Sequence, residues 1–527
     1  MSDAAHSGAG AGEGDSQIMT RAHPDQPLRR AAAFAAAALM LVLAAPLAQA
    51  QTWSDRDVRE LAEALSEAWT HGLDPADYAD PRALMRLETG RNRDRAADAA
   101  FEAFAEDLAF GRVDPRLLEE DWTAPVRDVD LDAARDAALS GAGVFETLEA
   151  LAPASAEYQA LRGELVYRLA VRDRRASVPP GEPLRLGDAG PRVDALRARL
   201  AEEGDYDGPL RAGAAFDNRL QIALMRFQTR HNLAADGEAG PSTLAELNAA
   251  PEARIEQLRA NLERWRWLPA DLGRRHIRVN LADYRLEAWR EGRLERVHEA
   301  MIGKIYSRTP VFSEDMSYIE INPVWYTPGG LGSSRLRALR YSPGWALSQG
   351  YRLVDLDTGR RVSPYTADWG RARYRVIQVP GPGNAMGEVK FMFPNRHNVY
   401  IHDTPQRDLF ANVRRDDSSG CVRVQDPQGL AAWVLDEEPD WPLTRQRAVF
   451  AGNDTTRVYL NDPIPVHILY FTAVPGERGA VRFVHDVYDR DQALIDALNG
   501  RLPAPRTADL IAQAAPDDPN AQPDPAL

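Results

Sequence analysis

The sequence predicts an α+β protein with helices in its first half and a strand-rich domain in its second half. Up to about residue 175, apolar side chains recur at i, i+3, i+4 and i+7, the spacing of a helix that buries one face. From His276 the period changes to two, and Ile277, Val279 and Leu281 alternate with polar residues, as in half-buried strands. This change of period divides the chain into its two parts.

The helical part is predicted to contain two units, joined by a stiff Pro/Gly linker at residues 177–181. Residues 53–175 are predicted to form a helical scaffold domain, with apolar stripes at 58, 61, 62 and 65 and again at 101, 104, 105 and 108. Residues 184–248 are predicted to form a compact three-helix module, and its core is expected to include Phe227, Leu233 and Leu244.

The strand-rich domain is predicted to cover residues 270–500. Between about 327 and 373, a stretch rich in Gly, Pro, Arg and Tyr interrupts the strand pattern, which indicates an inserted capping segment. Residues 503–527 are rich in Pro, Ala and Asp, and we expect them to be disordered because they cannot build an apolar core.

The first fifty residues have the pattern of an export signal. Arg29 and Arg30 precede an apolar run that ends in Ala-Gln-Ala at 48–50, so we expect cleavage after Ala50 and a periplasmic location. The arginine pair leaves the twin-arginine export route open. Pro46 breaks the Ala-rich run, so membrane association is expected only if the signal is retained.

The charge balance is acidic. Asp and Glu number 78 against 63 Lys and Arg, a net charge of −15 at pH 7. This argues against nucleic acid as a partner, because phosphates require a basic footprint. Only Lys304 and Lys390 are lysines, so the chain relies almost entirely on arginine for positive charge.

The chain has a single cysteine, Cys421. Exported proteins usually pair their cysteines or dispense with them, and an unpaired thiol in an oxidising compartment is a liability unless it performs a reaction. Cys421 follows the loop Ser418-Ser419-Gly420, at the start of a predicted strand and nineteen residues after His402. We therefore predict that Cys421 is a nucleophile.

His402 is the predicted general base and acid. It ends a strand predicted at 398–402, where a rigid scaffold presents side chains to a cleft. A thiol with a pKa of about 8.5 is mostly protonated at neutral pH, and an imidazole within hydrogen-bond reach can take that proton. The sequence thus predicts a thiolate–imidazolium pair, whose imidazolium later protonates a leaving amine.

Neighbours of Cys421 complete the predicted site. The N–H groups of Gly420 and Cys421 are candidates for an oxyanion hole, and the glycine allows close approach of the backbone to the reacting carbon. Ser418 and Ser419 can assist through a hydroxyl or a carbonyl. Arg423 lies two residues beyond Cys421 on the same strand face, where it can bind a carboxylate.

Other polar residues near the site receive weaker assignments. His397 is the best competing base, because it is next to the same strand. Asp403 alternates to the face opposite His402, so its side chain is not expected to orient the ring. One Cys and scattered His give no metal-ligand spacing, so we expect no metal and no other cofactor.

These motifs resemble a known family. His402 followed by Ser418-Ser419-Gly420-Cys421-x-Arg423 is similar to the catalytic signature of L,D-transpeptidases of the YkuD type. Many members have His before the Gly, whereas Ser419 and the order of parts resemble the large periplasmic, YcbB-like branch. The module resembles the three-helix peptidoglycan-binding module. Further matching motifs are Gly303-Lys304, Thr309-Pro310, Asn322-Pro323-x-Trp325, residues 380–387 and Tyr400-x-His402-Asp403-Thr404-Pro405.

The resemblance implies a YkuD-like catalytic domain that acts on peptidoglycan stem peptides and glycan strands. Cys421 would attack the carbonyl of the third residue of a tetrapeptide donor, D-Ala would leave, and an acceptor amine would resolve the thioester to give a 3→3 cross-link. A backbone carbonyl would orient the His402 ring. Loop groups such as Asp236 would meet glycan. Residues implied to contact substrate are Arg423, Tyr400, Trp325, Ser419, Ser418 and Asn384.

Other functions stay open at this point. Water as the acceptor would make the protein an L,D-carboxypeptidase, and a protein amine would make it a tether between an envelope protein and the wall. A third reading, from a different class, is a non-catalytic peptidoglycan anchor that uses the module at 184–248.

Overall fold

The computed structural model describes residues 52–174, 176–327, 329–370, 373–476 and 481–501. The predicted signal at 1–50 and the tail at 503–527 lie outside the described residues. From Trp53 onward the described residues form one compact unit. Its first ten α-helices precede its first strand, and its strands are concentrated in the second half, which confirms the predicted α+β class. Within those ranges, no helix combines the length and apolar content required to cross a bilayer.

The scaffold helices pack around one apolar core. Ser54 and Asp57 form a reciprocal capping box at the start of the first helix, which fixes where that helix begins. The predicted stripes are buried, with Leu61 and Phe101 fully inaccessible to solvent. The helices are α1 (Asp55–Ser66), α2 (Pro81–Arg86), α3 (Arg91–Phe110), α4 (Leu131–Ala137), α5 (Val144–Leu151) and α6 (Ala156–Val171).

The module consists of α7 (Pro191–Glu202), α8 (Asn218–Arg230) and α9 (Pro241–Leu247) around its own core. Phe227 and Leu244 are buried in that core as predicted, whereas Leu233 is only partly buried against it. The exposed Asp236 accepts a hydrogen bond from Gln228 Nε2 at 2.8 Å.

A long buried helix, α10 (Pro251–Arg266), joins the scaffold to the strand-rich domain. Glu263 and Arg266 form an ion pair at 2.6 Å with both side chains fully buried. On the other side, Gln257 and Asn261 donate hydrogen bonds to Thr472. The helix therefore fastens the first half of the chain to the second half.

Eight strands of the second half close into a barrel in the order β1-β12-β4-β9-β10-β11-β3-β2. A barrel of this size encloses just enough space for its own side chains, and residues such as Ile277, Val422 and Ile468 fill it. The strands are β1 (Arg275–Asn280), β2 (Arg285–Arg290), β3 (Arg293–Met301), β4 (Phe312–Ile321), β9 (Val389–Met392), β10 (Ile401–His402), β11 (Val422–Val424) and β12 (Thr456–Leu469).

An insertion with its own sheet and core interrupts the barrel. Its sheet has the order β5-β8-β6-β7. Because β5 pairs with β8, the insertion spans 325–378, slightly more than the predicted 327–373. Trp325, Leu339 and Leu353 lie in its core. Its elements are β5 (Trp325–Tyr326), α11 (Gly329–Tyr341), α12 (Pro343–Ser348), β6 (Tyr351–Asp355), β7 (Arg361–Val362) and β8 (Tyr374–Gln378).

The remaining elements cover the barrel and connect it to the scaffold. Asp426 caps the helix that follows β11, with its Oδ1 accepting from Gly429 N. The strand predicted at 398–402 is reduced to two residues, because Asn398 has a φ of +53° and turns the chain. The elements are α13 (Pro427–Val434), α14 (Leu443–Phe450), β13 (Ala473–Pro475), β14 (Val481–Phe483) and α15 (Asp491–Leu498).

A buried carboxylate ties the scaffold to the module. The Glu203 side chain is 3 % exposed and lies among Arg168 of α6 (2.7 Å), Arg199 of α7 and Arg230 of α8 (3.7 Å). Burial raises the pKa of Glu203, but the three guanidinium groups outweigh burial and bring this pKa down to about 2.

The charge of Glu203 is expected to stabilise the fold at neutral pH. Because the folded pKa lies below the ordinary value of 4.5, this contribution is complete above pH 4.5 and is lost as pH falls to about 2. Glu203→Gln leaves three buried guanidinium groups uncompensated, so we expect a loss of about 3–5 kcal/mol in the free energy of unfolding at pH 7. Denaturant melts of both proteins at pH 7 and pH 3 measure this loss.

The control is Asp357→Asn, which removes an exposed ion pair with Arg373 and should cost less than about 0.5 kcal/mol. A Glu203→Gln loss that is equally large at pH 7 and pH 3 would contradict the electrostatic explanation.

Candidate active site

Two adjacent parallel strands carry the predicted catalytic residues, with His402 in β10 and Cys421 directly before β11. In β10 and β11, Ile401 pairs with Val422 and His402 pairs with Arg423. Ile401 and Val422 are fully buried in the barrel interior, so by alternation His402, Cys421 and Arg423 belong to the outer face. On this face Tyr400 packs against both the barrel core and the insertion core. The site therefore lies where the insertion meets the outside of the barrel.

The nucleophile candidate is a protonated thiol at rest. Cys421 is partly exposed, and its Sγ contacts the Asn398 carbonyl oxygen at 3.7 Å as a hydrogen-bond donor. Burial raises the pKa of the Cys421 thiol above its ordinary value. Hydrogen bonds to the sulfur, first from the main chain of Tyr400 and then from its hydroxyl, lower this pKa together with the charges of Lys390 and Arg423, but they do not cancel the effect of burial.

The His402 ring is oriented by a main-chain carbonyl. Its Nδ1 donates to the Asp403 carbonyl oxygen at 2.5 Å, so in the neutral ring Nε2 holds the lone pair. Burial, and next the charge of Arg423, lowers the pKa of His402 to about 3. The Asp403 carboxylate is engaged elsewhere, accepting from Glu388 N and from Arg407.

The resting pair therefore differs from the predicted thiolate–imidazolium pair. Burial raises the pKa of the thiol and lowers that of the imidazole, so both groups are neutral around pH 7. The prediction of a resting ion pair is wrong, because sequence spacing carries no information about desolvation. A neutral imidazole is still able to accept the thiol proton when the sulfur attacks an electrophile.

The nucleophile loop is held by its own serine. Ser418 is buried, its Oγ donates to the Cys421 carbonyl at 2.6 Å, and it accepts from Gly420 N at 3.1 Å. Ser418 thus stabilises the loop at residues 418–421 through hydrogen bonds within it, and it is not the substrate contact that the resemblance implies. The Gly420 N–H faces Ser418 in this state, so its role as an oxyanion donor stays a prediction that requires this bond to open. Ser419 is exposed beside Cys421.

A second layer fixes the position of Gly420. Thr309 Oγ1 donates to the Gly420 carbonyl at 2.8 Å and accepts from Gly303 N at 2.9 Å. Tyr488 Oη donates to the Gly303 carbonyl at 2.5 Å and accepts from Thr309 N at 3.2 Å. A Cβ on Gly303 would come within 2.1 Å of the Ser307 carbonyl oxygen, so only glycine allows this approach.

The structure separates the other implied substrate contacts. Arg423 Nη1 donates to Gln406 at 3.1 Å, and its position beside Cys421 keeps it a candidate for carboxylate binding. Asn384 is 1 % exposed, and its side-chain amide donates hydrogen bonds to three main-chain carbonyls. It therefore shapes the loop instead of contacting substrate. Trp325 lies mainly in the insertion core. The Tyr400 hydroxyl is hydrogen-bonded to Cys421, the candidate nucleophile.

The competing base lies apart from the sulfur. His397 packs on Phe312 at 5.1 Å between ring centroids, and its Nε2 is 3.6 Å from Asp121. Within the described ranges, His, Cys, Asp and Glu side chains form no cluster of three or more that could hold a metal ion.

Sequence reasoning missed Lys390 and Tyr488. Lys390 Nζ lies 4.4 Å from the Tyr400 ring centroid, and its charge acts on both Cys421 and His402. The available signal was that lysine is rare in this arginine-rich chain, and both of its lysines border the site. The second lysine is Lys304, whose main-chain N–H donates to the Ser418 carbonyl. Tyr488 offered no local signal.

Comparison with known families agrees with this geometry. Residues 274–465 match the model of the YkuD L,D-transpeptidase catalytic domain. The strand-rich domain is therefore YkuD-like over the matched residues. Residues 48–165 match a family described as a scaffold domain, and residues 189–247 match a "Putative peptidoglycan binding domain". The match to the transpeptidase domain ends before Tyr488.

Individual relatives of the chain are described as L,D-transpeptidases. The chain is 34 % identical over 249 residues to a "Putative L,D-transpeptidase" of Haemophilus influenzae, a stretch that covers 46 % of this chain and half of that protein. An L,D-transpeptidase structure from Xylanimonas cellulosilytica is 16 % identical, covers 55 % of this chain and 99 % of its own, with a TM-score of 0.17. One from Mycobacterium smegmatis is 16 % identical, covers 37 % and 58 %, with a TM-score of 0.19.

The protonation state of the Cys421 thiol can be tested directly. Because burial raises the pKa of Cys421, alkylation by iodoacetamide should be slow at pH 7 and should rise with a midpoint above the ordinary thiol value. Tyr400→Phe removes a hydrogen bond to the sulfur and should move this midpoint higher still. Adduct formation against pH, followed by intact mass, gives both midpoints. A plateau already reached near pH 6 would contradict the neutral thiol.

Tyr488 is expected to position the nucleophile loop. Tyr488→Phe removes the bonds to Gly303 and Thr309, so acylation of Cys421 by a carbapenem should slow by about 10-fold. The matched control is Tyr78→Phe in the scaffold, which removes a partly buried tyrosine hydroxyl that donates to Asp107 at 2.7 Å. Stopped-flow acylation, with melting temperatures of both variants, separates positioning from stability. Equal slowing in the two variants would overturn the assignment.

Proposed function

We propose that the protein is a peptidoglycan L,D-transpeptidase that forms 3→3 cross-links through a thioester on Cys421. The observation that carries the proposal is the joint placement of a partly exposed Cys421 and a ring-oriented His402 on one face of a transpeptidase domain. The peptidoglycan-binding module supports the choice of substrate.

In the first half-reaction, Cys421 Sγ attacks the carbonyl carbon of the third stem residue while His402 Nε2 takes the thiol proton. The oxyanion that forms receives hydrogen bonds from the N–H of Cys421 and, after Ser418 rotates away, of Gly420. His402 then protonates the nitrogen of D-Ala, the C–N bond breaks, and a thioester remains. Arg423 is placed beside Cys421 to hold a carboxylate of the donor.

In the second half-reaction, an amine of a neighbouring stem attacks the thioester carbon. His402 Nε2 accepts the proton of the amine and returns it to the sulfur as the C–S bond breaks. The energy of the cleaved amide is retained in the acyl-enzyme, so no nucleotide is consumed. A peptidoglycan-acting transpeptidase works outside the cytoplasm, and we propose the periplasm, with the signal cleaved after Ala50.

The test is incubation of the protein with purified disaccharide-tetrapeptide, followed by mass analysis. We expect a cross-linked dimer with loss of D-Ala, no reaction with Cys421→Ala, and a turnover reduced by about 10²–10⁴-fold in His402→Gln. A tripeptide product without dimer would make the protein a carboxypeptidase. Binding to peptidoglycan without any product or adduct at Cys421 would leave only the anchor function.

A further inference from the structure

The insertion carries a charge opposite to that of the rest of the chain. Residues 325–378 contain nine arginines and three aspartates, a net charge of +6, whereas the remainder of a chain of total charge −15 carries −21. Six of these arginines are exposed, and of the ion pairs formed among described residues only Arg373 with Asp357 (3.0 Å) engages one of them. The exposed six are Arg337, Arg340, Arg360, Arg361, Arg373 and Arg375.

The same segment concentrates exposed aromatic rings. Among the described residues, eight Trp or Tyr side chains are strongly exposed, and four of them lie in this segment, about a tenth of the chain. They are Tyr326, Tyr341, Trp345 and Tyr365, at 55, 70, 51 and 68 %. A folded protein gains nothing by leaving such large apolar rings in water, so their clustering indicates a surface that is covered in use.

Several of the basic and aromatic groups lie side by side. Arg337 and Tyr341 are four residues apart on one side of α11, and Trp345 follows in α12, beyond the break at Ser342. The Arg340 guanidinium lies 5.3 Å from the Tyr341 ring centroid and 5.9 Å from that of Trp369. A Cβ on Gly344 would lie 3.7 Å from the Tyr365 hydroxyl, so Tyr365 belongs to the same face. We call this set the arginine–aromatic face.

We propose that the arginine–aromatic face docks the enzyme on an anionic phospholipid surface. Guanidinium groups near such a surface are attracted by the negative headgroups, and amphipathic Trp and Tyr rings settle at the boundary between headgroups and acyl chains. The acidic remainder of the protein does not cancel this attraction, because salt screens charges beyond about 8 Å at physiological ionic strength.

The distribution of charge favours a lipid surface over a single bound molecule. The exposed arginines are spread over α11, the β6–β7 turn and β8, so only an extended array of anions could meet several at once. The described contacts of Cys421 and His402 include none of these arginines, so the face is separate from the donor contacts proposed above. The inference does not rest on the proposed reaction.

The test is sedimentation of residues 53–527, the compact unit, with phospholipid vesicles. Vesicles of phosphatidylcholine with about one-third phosphatidylglycerol should bind the protein, and pure phosphatidylcholine should not. Arg337→Gln with Arg340→Gln should weaken binding about 25-fold at low salt, about 5-fold for each arginine. Trp345→Ala with Tyr341→Ala should also weaken binding, and this loss should persist at high salt because it is not electrostatic.

The matched control is Arg293→Gln with Arg296→Gln, two exposed arginines on β3 of the barrel, which should leave vesicle binding unchanged. Equal weakening by this control, equal binding to neutral vesicles, or binding to purified peptidoglycan in place of vesicles overturns the proposal. The proposal is also overturned if the arginine–aromatic face joins two copies of the chain. In that case the protein would form a dimer, and the insertion variants would abolish it. Carbapenem acylation of Cys421 should be the same in all variants, which separates docking from catalysis.

Discussion

Burial of the reacting pair is the constraint on which the site depends. A desolvated thiol and a desolvated imidazole both resist charge, so Cys421 and His402 are neutral until an electrophile is present. Proton transfer is then coupled to bond formation instead of preceding it. Such a thiol is protected from adventitious oxidation, since the thiolate is the form that oxidants attack. That protection suits the proposed location of the protein outside the cytoplasm.

Because Cys421 and His402 are neutral at rest, the proposed reaction depends on how accurately the two side chains are positioned. The described hydrogen-bond partners of the His402 ring are main-chain groups of Asp403 and Met386 instead of a carboxylate, and the Asp403 carbonyl fixes its tautomer. The proton must therefore pass over a short, well-defined path, and the loop that carries the sulfur has to be rigid. Thr309 and Tyr488 supply that rigidity, because their hydroxyl groups satisfy the main chain at Gly303 and Gly420.

The sequence predicted those features that are encoded locally. Helical stripes such as Leu61 in α1 follow from periodicity, and Cys421 and His402 stand out by type and position. The features that the sequence did not predict depend on contacts between segments that are far apart in the chain. The family resemblance implies a substrate contact for Asn384, yet its amide is hydrogen-bonded to three main-chain carbonyls. Tyr488 lies 67 positions beyond the nucleophile, and no pattern joins two residues whose contact exists only after the barrel has closed.

The remoteness of Tyr488 gives the scaffold a role beyond that of a spacer. Arg490 stacks over the Tyr488 ring at 5.5 Å and pairs at 2.5 Å with Glu119, a scaffold residue. On the other side, Arg264 of α10 stacks at 5.3 Å on Tyr470, the ring against which Tyr488 lies. The tyrosine that fixes Gly303 is thus itself held by a scaffold residue and by α10, both from the first half of the chain. A barrel without those helices would keep its nucleophile and its base but would lose the support that aligns them.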